Sequence, residues 1–207
     1  MLRILSDPAF DTTLYAIDFQ LAESTRAKGC RFCAGPLHSA RYPRKPRCGR
    51  ELPAHWSWRW SFCCAREGCR RRTTPPSVRF LGRRVWPGII IVALSVIDQL
   101  LDRGRAARFR RAFGVARRTL DRWRSWWCEQ FPQGDLWRLD RARFGPPPPV
   151  DEELPASLVS SFGRRSTSST LIAVLEFLSP MSTTIPILEQ PNFLRDRKNP
   201  QNLPDPR

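Results

Sequence analysis

The sequence predicts an α+β fold: a small cysteine-stapled β module, a three-helix module, and a mostly disordered C-terminal tail. Three observations predict it. Six of the seven cysteines fall between residues 29 and 82, a stretch with little helical character. Residues 83–145 carry apolar residues at helical spacing, interrupted by a glycine at a tight turn. Four consecutive prolines, Pro146 to Pro149, then open a tail (146–207) rich in Ser, Thr and Pro. Such a run is a stiff extended spacer. Residues 1–28 are mixed and weakly patterned and read as an N-terminal arm.

The β module rests on two tight cysteine groups. Cys30-Arg31-Phe32-Cys33 is a C-x-x-C pair, and Cys63, Cys64 and Cys69 follow about thirty residues later. Each pair places two thiolates on one turn, so two pairs close one tetrahedral Zn²⁺ site. The expected ligands are Cys30, Cys33, Cys64 and Cys69. Cys64 is preferred over Cys63 because C-x4-C is the shorter loop. Cys48 is a spare, and His38 or His55 could replace a thiolate. Between the pairs, Trp56, Trp58, Trp60 and Phe62 alternate with polar residues, as one face of a strand does. A strand running directly into a cysteine pair is the layout of a zinc ribbon. Cys128, among tryptophans in a helical stretch, reads as packing.

In the helical module, Pro87 to Leu101 is the first helix, with Ile90, Leu94, Ile97 and Leu101 on its apolar face and Gly104 as its stop. Residues from Ala106 to Trp123 then read as helix, tight turn at Gly114, and helix. Phe109, Phe113, Val115, Leu120, Trp123 and Trp127 have spacings that let them share a core. Arg117, Arg118, Thr119 and Arg122 fall on the other side, near the start of the second helix, with Arg124 flanking them. This is a helix-turn-helix arrangement, which sends the start of its second helix into the DNA major groove. In the tail, only Thr170 to Leu178 reads as helix, and the composition beyond Pro191 reads as disordered.

Charge points the same way. The formal net charge is +16, and only Lys28, Lys45 and Lys198 are lysines. Between Arg26 and Gly145 there are 28 Arg or Lys against 8 Asp or Glu. GC-rich codons explain arginine over lysine but not this skew. A basic middle fits a polyanion such as double-stranded DNA. No secretory signal is visible, and the apolar run Gly88 to Ile97 is about half the length of a membrane span. The expected setting is therefore cytoplasmic, with no membrane partner. In that reducing compartment cysteines serve as ligands or free thiols.

Cys30-x-x-Cys33-x-Gly35-Pro36-Leu37-His38, then Tyr42-Pro43-Arg44-Lys45-Pro46-Arg47, then Cys64-x4-Cys69-Arg70-Arg71-Arg72-Thr73-Thr74-Pro75-Pro76-Ser77 resemble zinc-ribbon proteins of bacterial insertion sequences and transposases. In that family a ribbon precedes a helix-turn-helix, and the two recognise element ends. The resemblance covers roughly residues 28 to 130. It implies a DNA-binding accessory or remnant protein of a mobile element, with a transposase as a second candidate partner. The basic run Arg70, Arg71 and Arg72 joins the DNA-contact candidates. A catalytic nuclease domain is missing from the pattern: Asp151, Glu152 and Glu153 are adjacent in the Pro-rich linker, which is a solvated acidic run rather than a two-metal site. A zinc hydrolase or deaminase is disfavoured as well, because neither His38 nor His55 begins a His-x-Glu motif. The remaining alternatives are a zinc-stapled transcription regulator and a protein-interaction module. Oligomeric state is not legible.

Overall fold

The structure is a computed structural model; it describes residues 4, 7–49, 51–82, 85–144, 154–163 and 166–183. Among these are seven α-helices and one three-stranded antiparallel sheet. The helices are α1 (Pro8–Ala27), α2 (Gly88–Leu100), α3 (Arg103–Ala112), α4 (Arg117–Ser125), α5 (Asp135–Asp140), α6 (Ala156–Ser161) and α7 (Thr167–Leu178). The sheet has strand order β1 (Leu37–Pro43), β2 (Trp58–Cys64), β3 (Arg72–Thr73).

The first departure from expectation is the N-terminal arm, most of which is a 20-residue helix. Asp7 caps α1 by accepting from the Ala9 N–H at 2.9 Å, and Pro8 occupies the first turn, where a missing N–H costs little. Phe10, Leu14, Ile17 and Leu21 form its buried stripe. Tyr15 and Phe19 meet Trp60 at ring separations of 5.0 and 6.0 Å, so α1 covers the tryptophan face of the sheet.

Strand pairing follows the expected alternation, with Leu37 opposite Cys64 and Pro43 opposite Trp58. Trp56 is the exception. It lies before β2 in the 3-10 turn Ala54–Ser57, donating through Nε1 to Asp11 at 2.6 Å. The opposite face of β2 is also buried. Arg59 and Ser61 are 4 % and 0 % exposed, and Arg59 donates to the Pro75 carbonyl at 2.6 Å and the Ser182 hydroxyl at 3.0 Å.

Asp18 joins α1 to the segment after the sheet. It is fully buried and accepts from Ser77 Oγ (2.6 Å), the Val78 N–H (2.6 Å) and Arg79 Nε (2.7 Å). Arg79 is itself fully buried, with its guanidinium 5.1 to 5.9 Å from the ring centres of Tyr15, Trp56, Trp58, Trp60 and Phe80. Removing one member of a buried ion pair strands the other charge, which costs about 3–5 kcal/mol. Asp18→Ala is therefore expected to lower unfolding free energy by about that much in urea titration, and a loss below about 1 kcal/mol would refute the role assigned to this pair.

Helix α2 is the hub. Its first ten residues, Gly88 to Ile97, are all buried, and it packs on α3, α4, α6 and α7. A helix apolar all round belongs in a core. It ends at Leu100, and Gly104 does not stop it. Gly104 lies in the first turn of α3, where Asp102 caps by accepting from the Gly104 and Arg105 N–H groups at 3.0 Å. The α3–α4 turn forms at Gly114, which takes φ +67° and donates to the Arg111 carbonyl. After α4 the chain widens into one π turn, Trp126–Gln130, closed by Phe131 N–H to the Trp126 carbonyl at 2.8 Å. The wider turn lets Trp126, Trp127 and Phe131 all enter the core, with ring separations of 4.6 to 5.5 Å.

The second departure is the tail. The expectation of a mostly disordered segment with one short helix fails over residues 154–163 and 166–183; residues 145–153 and 184–207 lie outside the described residues. Two helices form there: α7 is the expected helix over Thr170 to Leu178, begun three residues earlier, and α6 precedes it. Gln99 on α2 holds the start of α6 by donating to the Leu154 carbonyl and accepting from the Ala156 N–H. Leu154, Leu158, Leu171, Val174, Leu175, Phe177 and Leu178 are essentially fully buried. Packing against α2 is close: a Cβ at Gly88 would stand 3.3 Å from Leu175 Cδ2. After α7, Ser182 accepts from the Ser77 N–H at 2.7 Å and from Arg59. One apolar core thus runs from Phe10 to Leu178, and a smaller one (Ala22, Cys30, Leu37, Phe62, Cys64) surrounds the cysteines. Residues of all four sequence segments contribute to that larger core. None of the helices among the described residues is long and apolar enough to cross a membrane.

Candidate metal centre and basic surfaces

Cys30, Cys33, Cys64 and Cys69 bring their four sulfurs to within 4.8 Å of one another. The Cys30–Cys69 pair is 3.7 Å apart and the Cys33–Cys64 pair 3.4 Å. Both separations are far beyond a disulfide bond. A tetrahedron of thiolates about 2.3 Å from a central ion has sulfurs about 3.8 Å apart, so the cluster has the size of a four-coordinate metal site.

Two matching turns build it. In the first, Ala34 follows Cys33 at φ +54°; in the second, Arg70 follows Cys69 at φ +45°. Left-handed residues there curl each turn so that backbone N–H groups face the sulfurs: Phe32 and Cys33 toward Cys30, Arg66 toward Cys64, and Arg71 toward Cys69. Gly35 leaves room, since a Cβ on it would lie 3.2 Å from Cys64 Sγ and 3.3 Å from Cys33 Sγ.

The electrostatics suit a cation. Burial raises the Cys30 thiol, but the N–H donors of Phe32 and Cys33 and the Cys69 thiol outweigh it and bring it down to about 7. Burial pushes Cys64 up to about 12. Cys69 is lowered by the Arg71 N–H, yet burial and the thiols of Cys33 and Cys30 raise it on balance. Thiolates this close repel unless a cation sits among them.

The choice between Cys63 and Cys64 is decided by strand parity. Neighbouring residues of β2 point to opposite faces, and Cys63 turns away toward the Arg70 carbonyl at 3.3 Å. Cys48 packs against the main core instead of joining the cluster, and Cys128 also lies outside it. His38 and His55 take no part. His55 Nε2 sits 2.9 Å from Asp11.

No family of known proteins, no curated protein and no solved structure matches this chain.

On α4, Leu120 and Trp123 face the core while Arg117, Arg118, Arg122 and Arg124 are exposed and Thr119 is half-buried. Arg118 lies directly opposite the core side. Arg117 pairs with Asp121 at 3.3 Å, and Arg122 donates to Thr119 Oγ1 at 3.3 Å. Arg124 lies on the flank toward Gln99 and Leu154.

Arg70, Arg71 and Arg72 are also exposed, but they stand beside the cysteine cluster, where Arg72 is opposite Cys63. The loop that meets the α3–α4 turn leaves the other end of β1, about 20 Å of strand away. The basic residues expected from the sequence thus form two patches. The cysteine-end patch holds more than the Arg70–Arg72 run. Phe32 is 46 % exposed, with the guanidinium carbons of Arg31 and Arg71 at 4.7 and 4.3 Å from its ring centre. Arg66 donates to the Cys33 carbonyl. The signal for these residues was their position inside the cysteine motifs, which turns out to be the tip of the module.

Proposed function

We propose that the chain is a zinc-stapled, sequence-recognising DNA-binding protein, with the α3–α4 hairpin acting as its helix-turn-helix. The observation that carries the proposal is the exposed Arg118–Arg122 face at the start of α4, backed by buried Leu120 and Trp123. Residues four apart on a helix stack on one face, and Arg118, opposite the core side, reaches guanine O6 and N7 in a major groove. Four sulfurs of zinc-site size support Zn²⁺ as the metal. Four thiolates fill a tetrahedral shell, which suits a structural ion better than a catalytic one. The resemblance to insertion-sequence ribbon proteins is the ground for a mobile-element setting, as accessory or remnant, with a transposase as possible company.

The test separates reading from anchoring. With a duplex site selected from random sequence, Arg118→Ala is expected to weaken binding by about 1–3 kcal/mol and to flatten discrimination at one base pair. Arg124→Ala is expected to weaken all duplexes alike and lower the salt slope. Both side chains are exposed, so thermal melting should not change. If Arg118→Ala binds as tightly and as selectively as the parent, α4 is not the reading element.

A further inference from the structure

A hollow of about 440 Å³ runs along α4 beside Thr119 and Arg122. Its other lining residues are Arg47, Val85, Trp86, Trp123, Ser125, Trp126 and Gln130. None of these nine carries a carboxylate. Arg47 and Arg122, from parts of the chain that are distant in sequence, both line it.

Arg47 is not a loosely placed surface residue. Its backbone N–H donates to the Val85 carbonyl at 2.7 Å. The next residue, Cys48, packs against the main core. Gly49 then passes so close to the α3–α4 turn that a Cβ on it would collide with the Ala112 carbonyl oxygen and stand 2.7 Å from Phe113 Cα. The loop after β1 is thereby tied to the segment before α2 at Arg47 and to the α3–α4 turn two residues later. On the facing wall, the Arg122–Thr119 hydrogen bond orients the second guanidinium. Trp86, Trp123 and Val85 supply apolar walls.

We infer that Arg47, Arg122 and Thr119 clamp one backbone phosphate of duplex DNA, an inference that rests on the DNA-binding reading of α4. Guanidinium forks match phosphate oxygens in pairs. A phosphate held at the side of α4 fixes how far the helix enters the groove, which is what backbone contacts do for register. The loop that follows β1 and the helical hairpin then form one binding surface, and Arg47 joins the DNA contacts.

The experiment uses the full-length, metal-loaded protein and a selected duplex in which single phosphates are replaced, one at a time, by uncharged methylphosphonates. For the parent, one position near the major-groove contact is expected to weaken binding about tenfold. For Arg47→Gln that position should have no further effect, and the slope of log K against log salt should fall by about one. Metal content and melting temperature should match the parent. If every uncharged linkage weakens parent and variant alike, or the salt slope stays put, the clamp is wrong. Arg118→Ala distinguishes the two failures. Lost selectivity in Arg118→Ala with an unaltered Arg47→Gln overturns the clamp alone. No effect from either variant overturns the α4 reading and the clamp with it.

Discussion

A chain cut after Phe144 is expected to lose cooperative folding altogether. The cut removes seven fully buried apolar side chains, Leu154 and Leu158 together with Leu171, Val174, Leu175, Phe177 and Leu178. At about 1.5–3 kcal/mol each, their burial contributes about 10–20 kcal/mol, against a net stability of about 5–15 kcal/mol for a typical domain. It also bares the side of α2 that faces α7 and takes Ser182 away from Arg59 and the Ser77 N–H. The truncated chain should show no sigmoidal urea transition and should bind a dye that reports exposed apolar surface. A sharp transition near the full-length midpoint would mean that α6 and α7 are dispensable.

The second large effect is expected at the cysteines. Cys64→Ser should abolish metal uptake, whereas Cys63→Ser should leave one ion per chain, because Cys63 faces the Arg70 carbonyl and not the cluster. Structural zinc is worth about 10–16 kcal/mol in small zinc-finger peptides. The smaller core here holds only five buried residues, so β1–β3 has little else to hold its cysteine end. Hydrogen exchange in the strands should rise sharply in Cys64→Ser or after chelation, with α2 far less affected. Binding displaces protons from thiols such as Cys64, held at about 12 without a cation, so occupancy should fall as pH falls. Native protein that contains no metal by elemental analysis would remove the basis for the site.

The parts legible from sequence are those whose signals are local. The cysteine pairs, the alternation along Trp58 to Cys64, the apolar run of α2 and the glycine turn before α4 each declare themselves within a dozen residues. Helix α1 was harder because Asp18 sits on its buried face. A charge there spoils the apolar stripe, and its partner Arg79 is 61 residues away. Asp7, Pro8 and the Phe10–Leu14–Ile17–Leu21 spacing were nonetheless readable as a helix start and stripe. The tail was misjudged for a different reason. Twelve of its 62 residues are Ser or Thr and eleven are Pro, yet Ser166 caps α7 and Thr170, Ser179 and Ser182 are buried. Small hydroxyl residues are compatible with a core when their partners arrive from elsewhere, as Arg59 does for Ser182. At the site, the ligand set was legible, and strand parity alone would have excluded Cys63. The role of Arg47 was not, because the contact of Gly49 with the α3–α4 turn is long-range.

The bond between Ser77 and Ser182 closes a loop of more than a hundred residues. During synthesis the cysteine cluster can assemble as soon as Cys69 has emerged. The hub helix α2, by contrast, must wait with its apolar sides uncovered until α7 has left the ribosome. At about 5–20 residues per second that delay lasts several seconds. The nascent chain therefore completes its cysteine cluster early and its main core late, and a stop between Cys69 and α7 yields a polypeptide that proteases and chaperones will treat as unfinished.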